Sequence, residues 1–124
     1  MKSMPRISDA EWQVMKILWK GAPMAAREVI NEFGNSINWK PKTVKTLLRR
    51  LVDKKAITYT VDNQKYIYHP LVNEDECKRL ETESFLNRVY NGSFNLLVQN
   101  FIQEKNLSAK ELEELKQIIE NNKE

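Results

Sequence analysis

The residues best suited to binding chemistry in this 124-residue chain lie between Lys42 and Arg50. At 100° per residue, Leu47, Leu48 and Leu51 fall within about 60° of Val44, so these four form one aliphatic helix face. The remaining faces carry Lys42, Thr43, Lys45, Thr46, Arg49 and Arg50. Arg and Lys donate to guanine edges, and Thr can hydrogen-bond a base or contact the thymine methyl. The pattern predicts a helix that binds in the major groove of DNA, with a merely solvated basic face as the alternative.

Two further helices are predicted ahead of this one. Ser8 and Glu11 have the spacing of a capping box and begin a helix that runs to about Lys20. A short second helix is predicted from Ala25 to Phe33. The basic helix then begins near Lys40-Pro41, where proline suits a first helical position because its missing N–H would have had no partner.

A β-hairpin is predicted directly after the basic helix. Residues 57–61 and 65–69 are rich in β-branched and aromatic types, and a turn-like segment separates them. Lys65, beside that turn, is expected to contact a DNA phosphate or simply to face solvent, and Lys54 and Lys55 are further candidates for phosphate contact. The tyrosines at strand positions are expected to belong to the core. Three helices followed by a hairpin are the order of a winged helix-turn-helix, so residues 1–71 are predicted to be a DNA-binding domain.

Residues 72–124 are predicted to form three short helices with apolar stripes. Helices of roughly 10–15 residues bury little core by themselves, so these stripes are expected to close against a second copy of the chain. The predicted fold class is therefore mainly α with a small β-hairpin, a winged helix-turn-helix followed by a helical dimerisation module. The proposed dimer interface consists of Phe94, Leu97, Val98, Phe101, Leu112, Leu115 and Ile119.

The charge distribution supports this division of the chain. Residues 1–70 hold 13 basic and 6 acidic side chains, a net charge of +7, whereas residues 71–124 hold 7 and 11, a net charge of −4. The basic half is suited to a polyanion such as double-stranded DNA, and the acidic half is better suited to a protein partner.

Several function classes are disfavoured by composition. One cysteine and one histidine, Cys77 and His69, leave no usual zinc site and no catalytic constellation, and three scattered glycines leave no phosphate-binding loop. We therefore expect no enzyme activity, no metal and no cofactor. There is no apolar run of the ~18 residues that a membrane span needs and no apolar core of a signal peptide, so a cytoplasmic location without membrane insertion is expected.

Three separated segments occur in the order ISDAEWQVMKILW, KPKTVKTLLRRLVDKKAI and SFLNRVYNGSFNLLVQNFI. Through these segments, nearly the whole chain resembles the penicillinase and methicillin-resistance repressors, the BlaI/MecI family. The resemblance implies a homodimeric winged-helix repressor on a palindromic operator, ahead of genes for β-lactamase or a penicillin-insensitive wall-building enzyme and for the antibiotic sensor. It also implies inactivation by cleavage, with a protease linked to the membrane sensor as a partner.

The resemblance also assigns roles to particular residues. The family's bond between Asn and Phe that is cleaved matches Asn100-Phe101, although Phe101 is also suited to a core. The chain has Lys40 where the family often has Ser, Lys45 where Arg is common, and Arg49 as an added charge. Lys40 loses a helix cap but adds a candidate phosphate contact, Lys45 loses the bidentate fork of Arg, and base preference is affected. The family's DNA contacts correspond to Lys42, Thr43, Lys45, Thr46 and Arg50.

Two other functions fit parts of the sequence. A winged-helix regulator released by a bound small effector would need a pocket, which the sequence does not reveal. A protein-interaction module would use the basic helix only as a solvated face. Copper sensing is disfavoured, because the related copper-responsive repressors end in paired cysteines and this chain ends ELEELKQIIENNKE.

Overall fold

The computed structural model describes residues 4–34 and 38–123, with the backbone alone at Lys105. In those ranges the elements follow the order α1 Asp9–Gly21, β1 Met24–Ala25, α2 Ala26–Phe33, α3 Pro41–Asp53, β2 Ile57–Asp62, β3 Lys65–Pro70, α4 Glu74–Tyr90, α5 Phe94–Lys105 and α6 Ala109–Asn121. The chain forms two compact units, Met1–Lys78 and Arg79–Glu124. All the helices and both strands of the hairpin lie close to their predicted positions.

The predicted capping box at the start of α1 is confirmed. The Glu11 backbone N–H donates to Ser8 Oγ at 3.2 Å, and the Ser8 N–H donates to Glu11 Oε1 at 2.9 Å. The same reciprocal pair begins α6, where Ser108 and Glu111 exchange hydrogen bonds of 3.1 Å. Each pair satisfies N–H groups that a helix N-terminus otherwise leaves without partners.

One apolar core holds the first three helices and the hairpin together. Its side chains are almost entirely removed from solvent, and burial of each large aliphatic side chain stabilises the fold by about 1.5–3 kcal/mol. The largest fully buried apolar members are Val14, Met15, Leu18, Val29, Val44, Leu48, Leu51 and Ile57. Four of them belong to α3 or to the start of β2, so the basic helix and the hairpin share this core.

The sheet has one more strand than the sequence predicted. The hairpin pairs Tyr59 with Tyr68 and Asp62 with Lys65, as a tight antiparallel hairpin requires. Met24 and Ala25 add a two-residue strand on the other side of β3, which gives the order β1-β3-β2. A strand of two residues shows no alternation, so its sequence carries no strand signal.

The first compact unit runs past residue 71, the expected end of the DNA-binding domain, into the first turn of α4. Trp19 Nε1 donates to the Val72 carbonyl at 2.9 Å. Cys77 is 5% exposed and belongs to the core. The Glu76 backbone N–H donates to Asn73 Oδ1 at 3.0 Å, so Asn73 caps the start of α4.

The second unit contains the rest of α4 together with α5 and α6, and it differs in packing from the first. None of its described side chains is fully buried. Within the part of the chain that the structure describes, no helix combines the length and the apolar composition that crossing a membrane requires.

A buried ion pair joins the beginning of α1 to the end of α3. Lys54 Nζ lies 2.5 Å from Glu11 Oε1 and also donates to the Arg6 carbonyl at 2.9 Å, while Glu11 is 1% exposed. Burial acts to raise the pKa of Glu11, but the hydrogen bonds from Lys54 and Ser8 outweigh it, and the pKa falls below the ordinary 4.5. Lys54, expected from the sequence as a candidate phosphate contact, is therefore held by Glu11.

We expect Lys54→Met to lower the free energy of unfolding by about 1–2 kcal/mol at pH 7, because it leaves a buried carboxylate without its cation. Lys55→Met, at the exposed neighbouring position, is the control and should change the free energy of unfolding by less than about 0.5 kcal/mol. A carboxyl group with a lowered folded pKa stabilises the fold above its ordinary value of 4.5, and this contribution is lost as the pH falls through the folded value. Urea unfolding at neutral and at acid pH should show that the free energies of unfolding of the two variants converge in acid. A gap between them that does not depend on pH would contradict the assignment.

Candidate nucleic-acid interface

The burial of one side of α3 decides which of its side chains reach solvent. Val44, Leu47, Leu48 and Leu51 are at most 4% exposed. All six predicted DNA-binding residues of α3 are exposed on the remaining surface, namely Lys42, Thr43, Lys45, Thr46, Arg49 and Arg50. Among the described residues, none of these lysines and arginines forms an ion pair with a carboxylate. Their positive charges therefore remain available to a polyanion.

The beginning of α3 is fixed by packing and not by a side-chain cap. Trp39 contacts Phe33 of α2 edge-on, with ring centroids 5.0 Å apart. Lys40 is the N-cap residue, but its side chain makes no capping hydrogen bond. Its exposed ammonium group therefore lies at the N-terminus of the helix, beside Pro41, and adds to the basic surface.

Thr46 has a defined hydrogen-bonding state. Its hydroxyl donates to the Lys42 carbonyl of the preceding turn at 3.0 Å. The oxygen lone pairs and the methyl group remain for an incoming ligand, so this threonine can accept a hydrogen bond from a base or contact a thymine methyl.

The hairpin of β2 and β3, which we call the wing, carries Lys65 at its tip. Lys65 is the residue predicted to contact a DNA phosphate. Asn63 and Gln64 occupy the two turn positions with φ values of +51° and +67°. Both positive values match the two-residue turn whose twist suits a hairpin. Lys65 follows them, opposite Asp62, with an exposed side chain.

Two aromatic residues of the wing are not where the sequence placed them. Tyr59 and Tyr66 stack with centroids 4.2 Å apart and planes at 13°, and they are 38% and 49% exposed. Tyr68, by contrast, is half-buried and packs against the core. The expectation that the wing tyrosines are core residues is therefore wrong for Tyr59 and Tyr66, which lie nearer to the tip.

The predicted dimer residues lie on α5 and α6 and form much of an open apolar surface. Phe94, Phe101 and Ile119 are more than half exposed. A groove of about 430 Å³ between the two helices is lined by Leu97, Val98, Phe101 and Leu115 of the predicted set, along with other residues of α5 and α6. Phe94, Leu112 and Ile119 lie outside the groove lining, and Asn100 is exposed.

The structure describes no second site with obvious chemistry. Burial and the neighbouring Glu76 carboxylate raise the pKa of the Cys77 thiol, which disfavours its reactive thiolate form. In residues 4–34 and 38–123, no group of His, Cys, Asp and Glu side chains could hold a metal ion.

Comparisons with known proteins bear on this surface. The family model described as penicillinase repressor matches residues 7–121. The chain is 42% identical to the penicillinase repressor of Bacillus licheniformis, over 99% of this chain and 96% of that one. It is also 42% identical to the methicillin resistance regulatory protein MecI of Staphylococcus aureus strain N315, over 91% and 92% of the two chains. A solution structure of monomeric B. licheniformis BlaI in complex with the blaP half-operator matches with a TM-score of 0.53 and 39% identity, over 61% of this chain and 93% of that one.

Proposed function

The chain belongs to the penicillinase repressor family, and from this membership and the exposed basic face of α3 we propose how it acts. The resemblance seen in the sequence and the winged helix-turn-helix fold are both confirmed. The chain is a DNA-binding repressor and not an enzyme. In the finer proposal, it binds as a homodimer to a palindromic operator of genes of the β-lactam-resistance type, and cleavage within α5 inactivates it.

One observation supports the recognition role of α3 above the others. Its aliphatic side is fully committed to the core, so only the Lys, Thr and Arg side can face a ligand. In the proposed complex, Thr43, Thr46 and Arg50 contact base edges, together with Lys42 and Lys45. The contacts to the phosphate backbone come from Lys40, Arg49 and Lys65, which lie at the helix start, along its exposed face and at the wing tip.

The proposed dimer is supported by the apolar side chains that the second unit leaves exposed. Its helices carry apolar side chains that are 40–59% exposed, such as Phe94, Phe101 and Ile118, in a unit whose described side chains are never fully buried. Contiguous exposed apolar surface of this kind marks an interaction site. A second copy supplies an apolar surface of matching composition, and a twofold axis would then require an inverted repeat in the DNA.

The proposed cleavage site lies within that same surface. Asn100 is exposed on α5, and Phe101 lines the groove between α5 and α6. A cut at Asn100-Phe101 would separate the second half of α5 and all of α6 from the rest of the chain. Loss of several apolar contacts, at ~1.5–3 kcal/mol for each fully buried side chain, would then dissociate the dimer.

The groove also gives the small-effector alternative a physical basis, because its volume of about 430 Å³ lies in the range of ligand pockets. The small-effector regulator and the cleaved repressor differ in what releases them from DNA. A directly bound effector would raise the melting temperature of the pure protein, whereas the proposed repressor is released only when the chain is cut.

The recognition role predicts different effects for Arg50→Ala and Lys65→Ala. Protection mapping on DNA upstream of the chain's own gene supplies the operator. Arg50→Ala should weaken binding to that operator by roughly 1–3 kcal/mol and relax base preference, whereas Lys65→Ala should weaken binding to all duplexes alike. Arg88→Ala, which removes a charge from α4 in the second unit, is the control. Unchanged operator affinity for Arg50→Ala at matched salt would refute the role of α3.

The dimer interface predicts that the full chain sediments as a dimer and that Phe94→Asp combined with Ile119→Asp sediments as a monomer. Both side chains are more than half exposed in the single chain, so the substitutions should leave the folded monomer intact. Leu71→Asp is a matched control, because Leu71 is 56% exposed but lies in the first unit. A double variant that still dimerises would place the interface elsewhere.

The cleavage site predicts that Asn100→Asp abolishes induction. In cells that carry a β-lactam sensor, the inducer should shorten the wild-type chain on an immunoblot and raise expression of its target genes. Asn95→Asp, the same substitution at another exposed position of α5, should behave as wild type. If Asn100→Asp stays intact while the genes are still induced, cleavage at this bond is not the switch.

A further inference from the structure

We propose that the outer edge of β2 is a self-association site, where the strand pairs antiparallel with β2 of a second copy of the chain, centred on Thr60. The contact belongs to the first compact unit, whereas α5 and α6 belong to the second. The inference goes beyond the proposed function, and the pairing does not require DNA.

The two edges of the sheet differ in how they are protected from a further strand. The order β1-β3-β2 places β1 at one edge and β2 at the other. β1 has only two residues and follows Pro23, and both short length and proline keep edge strands from pairing. β2 has six residues, holds no charge, proline or glycine from Ile57 to Val61, and pairs with β3 without a bulge. Its outer edge is therefore open to another strand.

The hairpin turn determines which backbone groups of β2 point outward. In a hairpin with a two-residue turn, the residues that flank the turn exchange two hydrogen bonds, and every second pair beyond them does the same. The residues of β2 that bond to β3 in this way are Asp62, Thr60 and Thr58. The N–H and C=O groups of Tyr59 and Val61, between them, point away from β3 and can bond to a new strand.

Exposure and symmetry together select one register. When a strand pairs with its own copy across a twofold axis, outward-pointing residues must meet outward-pointing residues. A pair centred on Tyr59 would also need Ile57, which is 1% exposed and closed to a partner strand. A pair centred on Val61 would need Asn63, which belongs to the turn. A pair centred on Thr60 joins Tyr59 to the partner's Val61 twice, and these residues are 38% and 62% exposed.

The side chains are self-complementary in that register. Tyr59 lies beside the partner's Val61 on one face of the sheet, and Thr60 lies beside the partner's Thr60 on the other, which are both favourable cross-strand pairs. Thr58 lies opposite the partner's Asp62, whose carboxylate can accept a hydrogen bond from the threonine hydroxyl. A twofold contact must match its own surface, so this complementarity favours a second copy over an unrelated peptide.

Charge and size determine how strong the contact can be. Residues 1–70 carry a net charge of +7, which opposes the approach of two copies. The segment that pairs, residues 58–62, holds Asp62 as its one charged side chain, and repulsion beyond about 8 Å is screened at physiological salt. Pairing of five residues buries less than the ~1,000 Å² of a stable interface, so we expect a transient link between neighbouring chains.

The test captures this pair as a disulfide, in full-length chains that carry Cys77→Ala so that the introduced cysteine is the only one. In the proposed register, the two copies of residue 60 form a non-hydrogen-bonded pair with Cα atoms about 4.5 Å apart, within disulfide range. Thr60→Cys should therefore cross-link to itself. Asp62→Cys is the matched control, because the two copies of residue 62 would lie roughly 13 Å apart along the strands, which is too far for a disulfide.

Under a mild oxidant, we expect Thr60→Cys to form the covalent dimer about tenfold faster than Asp62→Cys. Adding Val61→Pro should remove this excess, because proline deletes an outward N–H and leaves the bonds between β2 and β3 in place. Val61→Thr, which keeps the N–H and the β-branched shape, should leave the rate within about twofold. The melting temperature of each protein is recorded.

A second measurement checks the register without proline. Chains with Thr58→Cys mixed with chains with Asp62→Cys should cross-link faster than either variant alone, because these two positions face each other across the pair.

Three results would overturn the inference. Equal rates for Thr60→Cys and Asp62→Cys would indicate random collision. An excess that survives Val61→Pro would show that the contact does not use the edge of β2. A mixture of Thr58→Cys and Asp62→Cys that is no faster than its components would contradict the register. None of these reactions contains DNA, so each result leaves the proposed function intact.

Discussion

The orientation of α3 depends on the burial of its aliphatic stripe, and most of the candidate interface depends on that orientation. With Val44, Leu47, Leu48 and Leu51 in the core, rotation of the helix by one residue position would bring charged side chains toward a dry interior. At about 1.5–3 kcal/mol for each buried aliphatic side chain, the stripe fixes the helical phase far more strongly than any single surface contact could. The exposed basic face is thus a consequence of core packing.

Contacts at both ends of α3 complement this constraint. Trp39 packs against Phe33 at the beginning of the helix, and Lys54 binds Glu11 at its end. The core determines which face points outward, and these contacts restrain how the helix axis can tilt. The hairpin begins with Ile57 in the same core, so the wing and the helix are held by the same packing.

The second unit, unlike the first, has little buried apolar surface to stabilise its helices. Helices of 12 and 13 residues are marginal in water by themselves, and α5 and α6 gain little from burial within the chain. Covering the apolar surface that includes Phe94, Phe101 and Ile119 would therefore stabilise them. The net charge of −4 on residues 71–124 makes DNA an unfavourable cover, which leaves a protein surface such as a second copy.

Local interactions were predictable from the sequence, and long-range ones were not. The capping boxes at Ser8 and Ser108 and the hairpin turn involve residues a few positions apart, so their residue types alone predict them. Glu11 and Lys54 lie 43 residues apart, and nothing in either segment indicates that they meet. The β-branched and aromatic residue types predicted a wing strand at Tyr59, but not how far the strand extends past the core, since that depends on packing between segments distant in sequence.

In the proposed dimer, the contrast between the two units explains how a repressor can bind DNA tightly and still be released. Each head binds through a modest number of contacts, so a single head competes poorly with salt for the backbone. Linking two heads makes the second binding event intramolecular, and avidity gains of this kind reach about 10²–10⁴-fold without a new contact. The apolar surface of α5 and α6 carries that gain, although it never touches DNA. A change confined to this marginal unit would therefore remove most of the affinity and leave the recognition helix, with its own core, intact.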